Sequence, residues 1–318
     1  MAKKRCTRVD IYSQIFDILK QGKYNILQIS KKTNINWQTV KNTLYTLENM
    51  GIVKKEDKKN KIYYSLKNPE LNTNTLLGLP IKQEKETKQI AKRIIELWKE
   101  QTGENINKTF LQKILVKTIK KENLKIPYGW YLFGQCTVLK LDPNQIEEDS
   151  IKTYDETINA TIKEYKDLPN TAELRSKHYK EENNVLYLDR LRIIEILSKP
   201  FDDESIRLLN QNLKDLVFTF HGEEDVIDLL ETYYSLAVRI FKLENKEELR
   251  TLLSESFSAL WDLLALDSLY YSLKDYYSEE ILEYYYNQRK IPFKSTLDEY
   301  LSDLYDSIPK EIRAKQFQ

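Results

Sequence analysis

Three short helices and a pair of strands can be predicted from the spacing of apolar residues in the first 67 positions, and this order restricts the segment to few folds. The first helix repeats apolar residues at three- and four-residue intervals, which places them on one face. These residues are Val9, Tyr12, Ile15, Phe16 and Leu19. Gly22 is predicted to end this helix, because glycine readily adopts the backbone conformation of a helix C-terminus.

The second and third helices are predicted from the residues that can cap them. Asn25 can cap a short second helix, because its side chain can accept a hydrogen bond from a first-turn backbone N–H. Residues 33–36 are predicted to form a turn, and Asn36 is predicted to cap a third helix over about residues 37–50. The residues expected to face inward are Ile26, Leu27 and Ile29 in the second helix and Val40, Leu44 and Leu47 in the third.

A two-stranded wing is predicted directly after the third helix. Ile52 and Val53 begin its first strand, residues 57–60 form a polar turn, and residues 61–66 form the return strand. The predicted order is therefore helix, helix, turn, helix and wing.

At these residues the chain resembles the winged helix-turn-helix transcription factors, especially the archaeal ones. The resemblance extends over about residues 8–67. The stretch that carries it is residues 26–66, and its most specific part is NWQTVKNTLYTLENMGIV, residues 36–53. It covers about a fifth of the chain, and residues 82–318 resemble no family that we recognise. The resemblance implies double-stranded DNA as a partner, with the third helix in the major groove.

The same resemblance implies a role for the exposed residues of the third helix and the wing. Amide side chains can pair with adenine, and lysine can contact guanine or a phosphate. Thr39 would donate to a phosphate at the helix start, whereas Trp37 is expected to pack beneath the corner between turn and helix. The wing lysines would contact the DNA backbone. The predicted DNA-binding residues are Gln38, Thr39, Lys41, Asn42, Tyr45, Lys54, Lys55, Lys58, Lys59 and Lys61.

The distribution of charge also favours a polyanionic partner for the N-terminal segment. Residues 1–67 contain 15 Lys and Arg against five Asp and Glu, while residues 126–318 contain 23 against 37 in a chain of net charge +1. A basic head on an acidic body indicates that one end meets a polyanion and the other does not. Winged helices that bind RNA or protein are the alternative, in which the lysines form only a solvated surface.

The remainder of the chain is predicted to be mainly α-helical. With seven glycines and eight prolines, the composition argues against an all-β or dinucleotide-binding plan. The fold class is thus mainly α: a winged helix-turn-helix followed by a large α-helical domain with one short extended or hairpin segment. The predicted helices cover residues 82–102, 107–122, 144–167, 171–198, 203–220, 223–243, 246–276, 278–288 and 295–306.

The exceptional segment is residues 126–141, which is rich in aromatic and β-branched residues and contains Gly129 and Gly134. It could form a hairpin or an extended plug between helices. It could line an effector pocket, because pockets are apolar with few polar groups, but we favour a core segment that crosses between helical layers.

Two domains joined by a linker follow from these patterns. Residues 1–67 are assigned to the winged-helix domain and residues 82–318 to a helical domain for dimerisation, effector binding or partner binding. Residues 68–81 form the linker, since two prolines and several asparagines interrupt the periodicity.

Catalysis, cofactors and metal binding are not expected. The two histidines, His178 and His221, stand outside any zinc-binding spacing, and the seven glycines form no phosphate-binding loop. Cys6 and Cys136 are too far apart in sequence to suggest a metal site, and a reduced, cytoplasmic setting fits them. We also expect no membrane association, because there is no long apolar run and no apolar leader segment.

The sequence therefore predicts a transcriptional regulator that binds DNA and forms a homodimer. Tyrosines concentrated in residues 270–286 could form a dimer surface or fill the rim of a helical core. The alternative function is an interaction scaffold of mobile-element or defence origin, anchored on nucleic acid by its winged helix.

Overall fold

The computed structural model describes residues 8–49, 53–58, 61–66, 79, 81–277 and 279–309. Within these ranges the chain forms twelve α-helices and two antiparallel two-stranded sheets, as the predicted fold class requires. The chain divides into two compact units, one built on residues up to Glu84 and one that contains most of the residues from Lys85 onward. Nearly all of the predicted linker lies outside the described residues.

The first unit contains three helices followed by a two-stranded sheet, which confirms the predicted winged helix-turn-helix. Its elements are α1 (Arg8–Lys20), α2 (Ile26–Thr33), α3 (Trp37–Asn49), β1 (Val53–Lys58) and β2 (Lys61–Leu66). The core is formed by the predicted apolar faces of the helices together with residues of the wing. Its buried members are Ile15, Phe16, Leu19, Ile29, Val40, Leu44, Leu47, Val53, Tyr64 and Leu66.

One predicted core position of α2 is wrong. Ile29 is fully buried and Ile26 is partly buried, but Leu27 is exposed. Leu27 lies 200° around the helix from Ile29, at 100° per residue, and therefore points away from the core. The side chains of Val9 and Tyr12 lie outside the described residues.

The wing is a longer hairpin than the sequence indicated. Its strands pair from Val53 with Leu66 to Lys58 with Lys61, which leaves two residues between them. The predicted four-residue turn over residues 57–60 is therefore wrong, because Asp57 and Lys58 belong to β1. A two-residue connection is the commonest one in antiparallel hairpins, since it suits the twist of the strands.

The wing also pairs with the segment that joins α1 to α2. Tyr24 and Tyr64 exchange two backbone hydrogen bonds, with N–O distances of 3.0 and 2.9 Å. Tyr64 is buried in the core of the unit. The segment that enters α2 is thereby fixed to the return strand of the wing.

The second unit is built from helices around one hairpin. The elements after the wing are α4 (Ile81–Thr102), α5 (Lys108–Lys121), β3 (Tyr128–Tyr131), β4 (Gly134–Thr137), α6 (Asp155–Tyr165), α7 (Thr171–Glu181), α8 (Val185–Leu197), α9 (Asp203–Thr219), α10 (Glu224–Ile240), α11 (Arg250–Ser272) and α12 (Glu279–Asp306). The predicted bounds of α4, α5, α9, α10 and α11 agree with these within four residues. Side chains of Asn107, Asn170, Asn184 and Asp202 cap α5, α7, α8 and α9, and such caps contribute about 1 kcal/mol each.

Two predicted helices are interrupted. Only residues 155–165 of the predicted helix 144–167 are helical, since Asp142 accepts the backbone N–H of Asn144 and holds a turn there. The predicted helix 171–198 is two helices, α7 and α8. Asn183 between them has a left-handed backbone with φ of 49°, and Asn184 then caps α8.

One predicted break is absent. The sequence suggested two helices on either side of Pro292, but α12 is continuous through it. Proline removes one backbone donor from a helix and costs about 3 kcal/mol. The C-terminal half of α12 buries Leu297, Leu301 and Leu304 in the main core, and burial of three leucines outweighs that cost.

The segment around residues 126–141 forms a hairpin, one of the two alternatives, and it lies between helices. The strands β3 and β4 pair from Tyr128 with Thr137 to Tyr131 with Gly134. Gly129 approaches α11 so closely that an added Cβ would lie 2.9 Å from Ser272 Cβ. On the other strand, Thr137 donates its backbone N–H to Gln112 of α5 at 3.0 Å.

The tyrosine-rich segment is divided between core and surface. Tyr270 and Tyr286 are buried, with ring centroids 4.8 Å apart, whereas Tyr271 and Tyr276 are exposed. Among the described residues, no helix is long and apolar enough to cross a membrane. Those same residues contain no group of His, Cys, Asp and Glu placed to hold a metal ion.

Candidate nucleic-acid interface

The turn between α2 and α3 is held by short polar side chains. Thr33 donates its hydroxyl to the carbonyl of Ile29 at 2.8 Å, and Ser30 donates to the carbonyl of Ile35 at 2.7 Å. Asn34 adopts the left-handed conformation with φ of 55°, which asparagine tolerates better than most residues. These bonds fix the angle at which α3 leaves α2.

Asn36 begins α3 as predicted. Its side-chain oxygen accepts the backbone N–H of Gln38 at 2.8 Å, and its carbonyl accepts the N–H of Val40. Val40, Leu44 and Leu47 are fully buried. Because these three residues anchor one side of the helix, the opposite side faces solvent.

The solvent side of α3 carries the residues predicted to read DNA. Gln38, Lys41 and Asn42 are exposed, and Tyr45 is exposed over 64% of its surface. Thr39 is partly buried at the helix start. The structure thus brings these five predicted residues together on one helix, four of them exposed.

The two amides of this face contact each other. Gln38 Nε2 donates a hydrogen bond to Asn42 Oδ1 at 2.9 Å. They are four residues apart, the spacing at which side chains on a helix meet. Each amide therefore restrains the orientation of the other.

Trp37 differs from its predicted position. It was expected to pack beneath the helix corner, but its side chain is 44% exposed. The Lys41 ammonium lies 5.2 Å from the centroid of its ring, a cation–π contact. Trp37 lies 60° around the helix from Val40, at the border between the buried stripe and the polar side, so its indole forms part of the exposed surface.

The wing presents a row of lysines. Lys54, Lys55, Lys58 and Lys61 are exposed, and Lys59 lies outside the described residues. On β1 the neighbouring Glu56 is bound by Lys23, whose ammonium lies 2.7 Å from its Oε2. This hydrogen bond lowers the pKa of the Glu56 carboxyl, so that its charge is matched by Lys23 and does not offset the lysines of the wing.

The sequence did not single out two further basic residues of this unit. Lys31 and Lys32 lie in the last turn of α2, and both are exposed. The Lys32 ammonium lies 4.7 Å from the centroid of the Tyr24 ring. Cations at a helix C-terminus are also explained by the helix dipole, which is why the sequence pattern alone did not assign them to an interface.

Three helices, a tight turn before the third and a paired wing define the winged helix-turn-helix class. Residues 4–66 match the family model described as winged helix-turn-helix. The match covers about a fifth of the chain, and no curated protein and no solved structure matches the chain. A winged helix-turn-helix domain suggests DNA binding.

Proposed function

We propose that this protein is a transcriptional regulator in which α3 reads the major groove and the helical unit sets the oligomeric state or senses an effector. The observation that carries the proposal is the exposed face of α3, where Gln38 and Asn42 form a hydrogen-bonded amide pair beside Lys41. Amide and lysine side chains are those that read base edges in the major groove.

The exposed lysines of the wing support the proposal through affinity. Four described lysines project from two short strands, and basic side chains beside a groove-binding helix contact phosphates without reading sequence. Residues 126–318 carry an excess of acidic residues, so DNA would repel that part of the chain. The excess supports a function in which only the winged-helix unit contacts DNA.

A homodimer completes the proposed function. One winged helix makes a small interface with few base contacts, and regulators gain affinity by pairing two such domains on a two-fold axis. The helical unit is the proposed dimer contact. Light scattering of a variant that lacks residues 1–67 should give twice the mass of the shortened chain. The mass of one shortened chain across micromolar concentrations would contradict the dimer.

Genome-wide footprinting of the tagged protein tests the regulator itself. The expected result is protection of one or a few short sites, with palindromic symmetry if the protein is a dimer. The alternative function, a scaffold anchored on nucleic acid, predicts binding that is sensitive to salt and indifferent to sequence. Uniform protection across the genome would favour the scaffold.

A further inference from the structure

Cationic and hydrogen-bond-donating side chains surround the tip of the β3–β4 hairpin in the helical unit. They come from three different helices and converge on the two residues that join the strands and on Gly134. The side chains are Lys113 on α5, Arg175, His178 and Tyr179 on α7, and Arg190 on α8.

Arg190 is the central member of this donor cluster. It is only 8% exposed, and its guanidinium carbon lies 4.8 Å from the centroid of Trp261 and 5.6 Å from that of Phe133. Its Nε and Nη1 are buried and have no hydrogen-bond partner among the described residues. Buried guanidinium N–H groups without acceptors are costly, so an acceptor at Nε and Nη1 would complete this arrangement. The Tyr179 hydroxyl and the Asp262 carboxylate act on the charge of Arg190, but neither is a hydrogen-bond partner of these two atoms.

Two neighbouring polar atoms are also without partners. The hydroxyl of Tyr179 and Nε2 of His178 are buried and unbonded within the described part of the chain. A Cβ added to Gly134 would lie 2.6 Å from Tyr179 Cε1 and 2.9 Å from Lys113 Nζ. The donors are therefore close to one another, and only glycine leaves them room.

Lysines lie around the cluster, and the carboxylate that acts on the charge of Arg190, that of Asp262, forms no ion pair with it. Burial, together with the charges of Lys113, Lys120 and Lys117, lowers the pKa of His178 to about 2. Burial likewise lowers the pKa of Lys113 to about 7. At the C-terminal end of α7, the Glu182 carboxylate accepts a hydrogen bond from the Lys120 ammonium at 2.6 Å.

The cluster reaches solvent at Phe133. This side chain is 50% exposed, and the guanidinium carbon of Arg175 lies 5.3 Å from its ring centroid. Arg175 and Arg190 thus share one aromatic ring, with Arg175 partly exposed and Arg190 buried. In the described residues neither arginine has a carboxylate within ion-pair distance.

We infer that the hairpin tip is a binding site for the oxyanion of a small molecule, a phosphate or carboxylate group held by Arg190, Arg175 and the Tyr179 hydroxyl. The guanidinium fork matches the oxygens of such groups, and an anion would supply the missing acceptors. This site would give the helical unit a ligand of defined chemistry. The inference does not depend on DNA binding, because its test uses no DNA.

The test measures thermal unfolding and calorimetric binding of the full chain with inorganic phosphate, acetate or chloride at equal ionic strength. Phosphate or acetate should raise the unfolding temperature saturably and beyond chloride, because a ligand that binds only the folded state stabilises it. A response to phosphate alone would identify a phosphate group, and a response to acetate a carboxylate.

Substitutions locate the site. Arg190→Met and Arg175→Gln should each weaken anion binding at least tenfold, whereas Arg207→Gln, an exposed arginine of α9, should bind like the parent. Without anion, Arg190→Met should unfold at an equal or higher temperature, because an uncompensated buried charge has been removed.

Identical unfolding temperatures in all three salts would overturn the inference, as would an equal loss of binding in Arg207→Gln. If Arg190→Met fails to fold, the partly exposed Arg175→Gln decides alone. Parent-like anion binding in that variant would then overturn the inference.

Discussion

Gln38 Nε2 donates a hydrogen bond to Asn42 Oδ1 across one turn of α3, at 2.9 Å. Both side chains are exposed on the side of the helix opposite its buried residues. Because each amide restrains the other, they are expected to act as a unit when a base edge replaces solvent. Loss of either would leave its partner less well oriented.

Replacement of these amides should weaken sequence-specific binding. Gln38→Ala and Asn42→Ala are each expected to cost about 1–3 kcal/mol at a cognate site and little on random DNA. The double variant should lose less than the sum, because the first substitution already disturbs the second residue. Binding titrations check this with Gln21→Ala, an exposed glutamine just after α1, as the control. Equal losses on cognate and random DNA would show that this face does not read sequence.

Trp37 should contribute to DNA affinity and not to folding. Its indole is exposed and stacked with Lys41, so Trp37→Ala is expected to lower DNA affinity while the unfolding temperature changes little. Val40→Ala is the matched comparison, because Val40 is fully buried and the loss of its two methyl groups from the core costs about 1–3 kcal/mol of stability. If Trp37→Ala is destabilised as much as Val40→Ala and binds DNA like the parent, then Trp37 contributes to packing and not to DNA binding.

The wing lysines should determine the salt dependence of binding. A variant with Ser at positions 54, 55, 58, 59 and 61 is expected to reduce the slope of log affinity against log salt by about 0.9 for each phosphate that the wing no longer neutralises. The control places Ser at three exposed lysines of the helical unit and should leave the slope unchanged. These are Lys163 in α6, Lys166 directly after α6 and Lys180 in α7. A parent-like slope in the wing variant would remove the wing from the interface.

His178 should make the helical unit sensitive to acid. Burial lowers the pKa of the folded protein's His178 from 6.5 to about 2, so the unfolded chain binds more protons between these values. The free energy of unfolding therefore does not depend on His178 above about pH 6.5. Below that value it decreases as the pH falls, by on the order of 2 kcal/mol at pH 5, because only the unfolded chain takes up the proton. Urea unfolding at several pH values should show this loss in the parent and in His221→Gln, and a smaller one in His178→Gln. Parallel pH profiles for the two variants would contradict the assignment.

The winged helix was predictable because its signals are local. The apolar stripes of α1 and α3, the caps at Asn25 and Asn36 and the strand-forming residues of β2 all lie within a few residues of each other. The helical unit was less predictable. Asn183 ends α7 through its own backbone conformation, and α12 continues through Pro292 because residues distant in sequence bury its leucines.

The candidate sites show the same division. Helical periodicity placed Gln38, Lys41 and Asn42 on the exposed side of α3, but it did not decide the environment of Trp37, which lies at the border of the two faces. The donor cluster at the hairpin tip could not be predicted. Lys113 and Arg190 are 77 positions apart, and only tertiary packing around Gly134 and Phe133 brings them near one another.

The backbone pairing of Tyr24 with Tyr64 has a consequence for the length of a DNA site. Since this bridge ties the start of α2 to the return strand of the wing, α3 and the wing lysines are set at one spacing and one rotation relative to each other. On a bound duplex, the base edges facing α3 and the phosphates facing the wing would therefore stand in a fixed helical phase. One base pair inserted between the bases that face α3 and the phosphates that face the wing would turn the duplex by roughly a tenth of a helical repeat. Such an operator would keep the contacts of α3 or those of the wing, but not both.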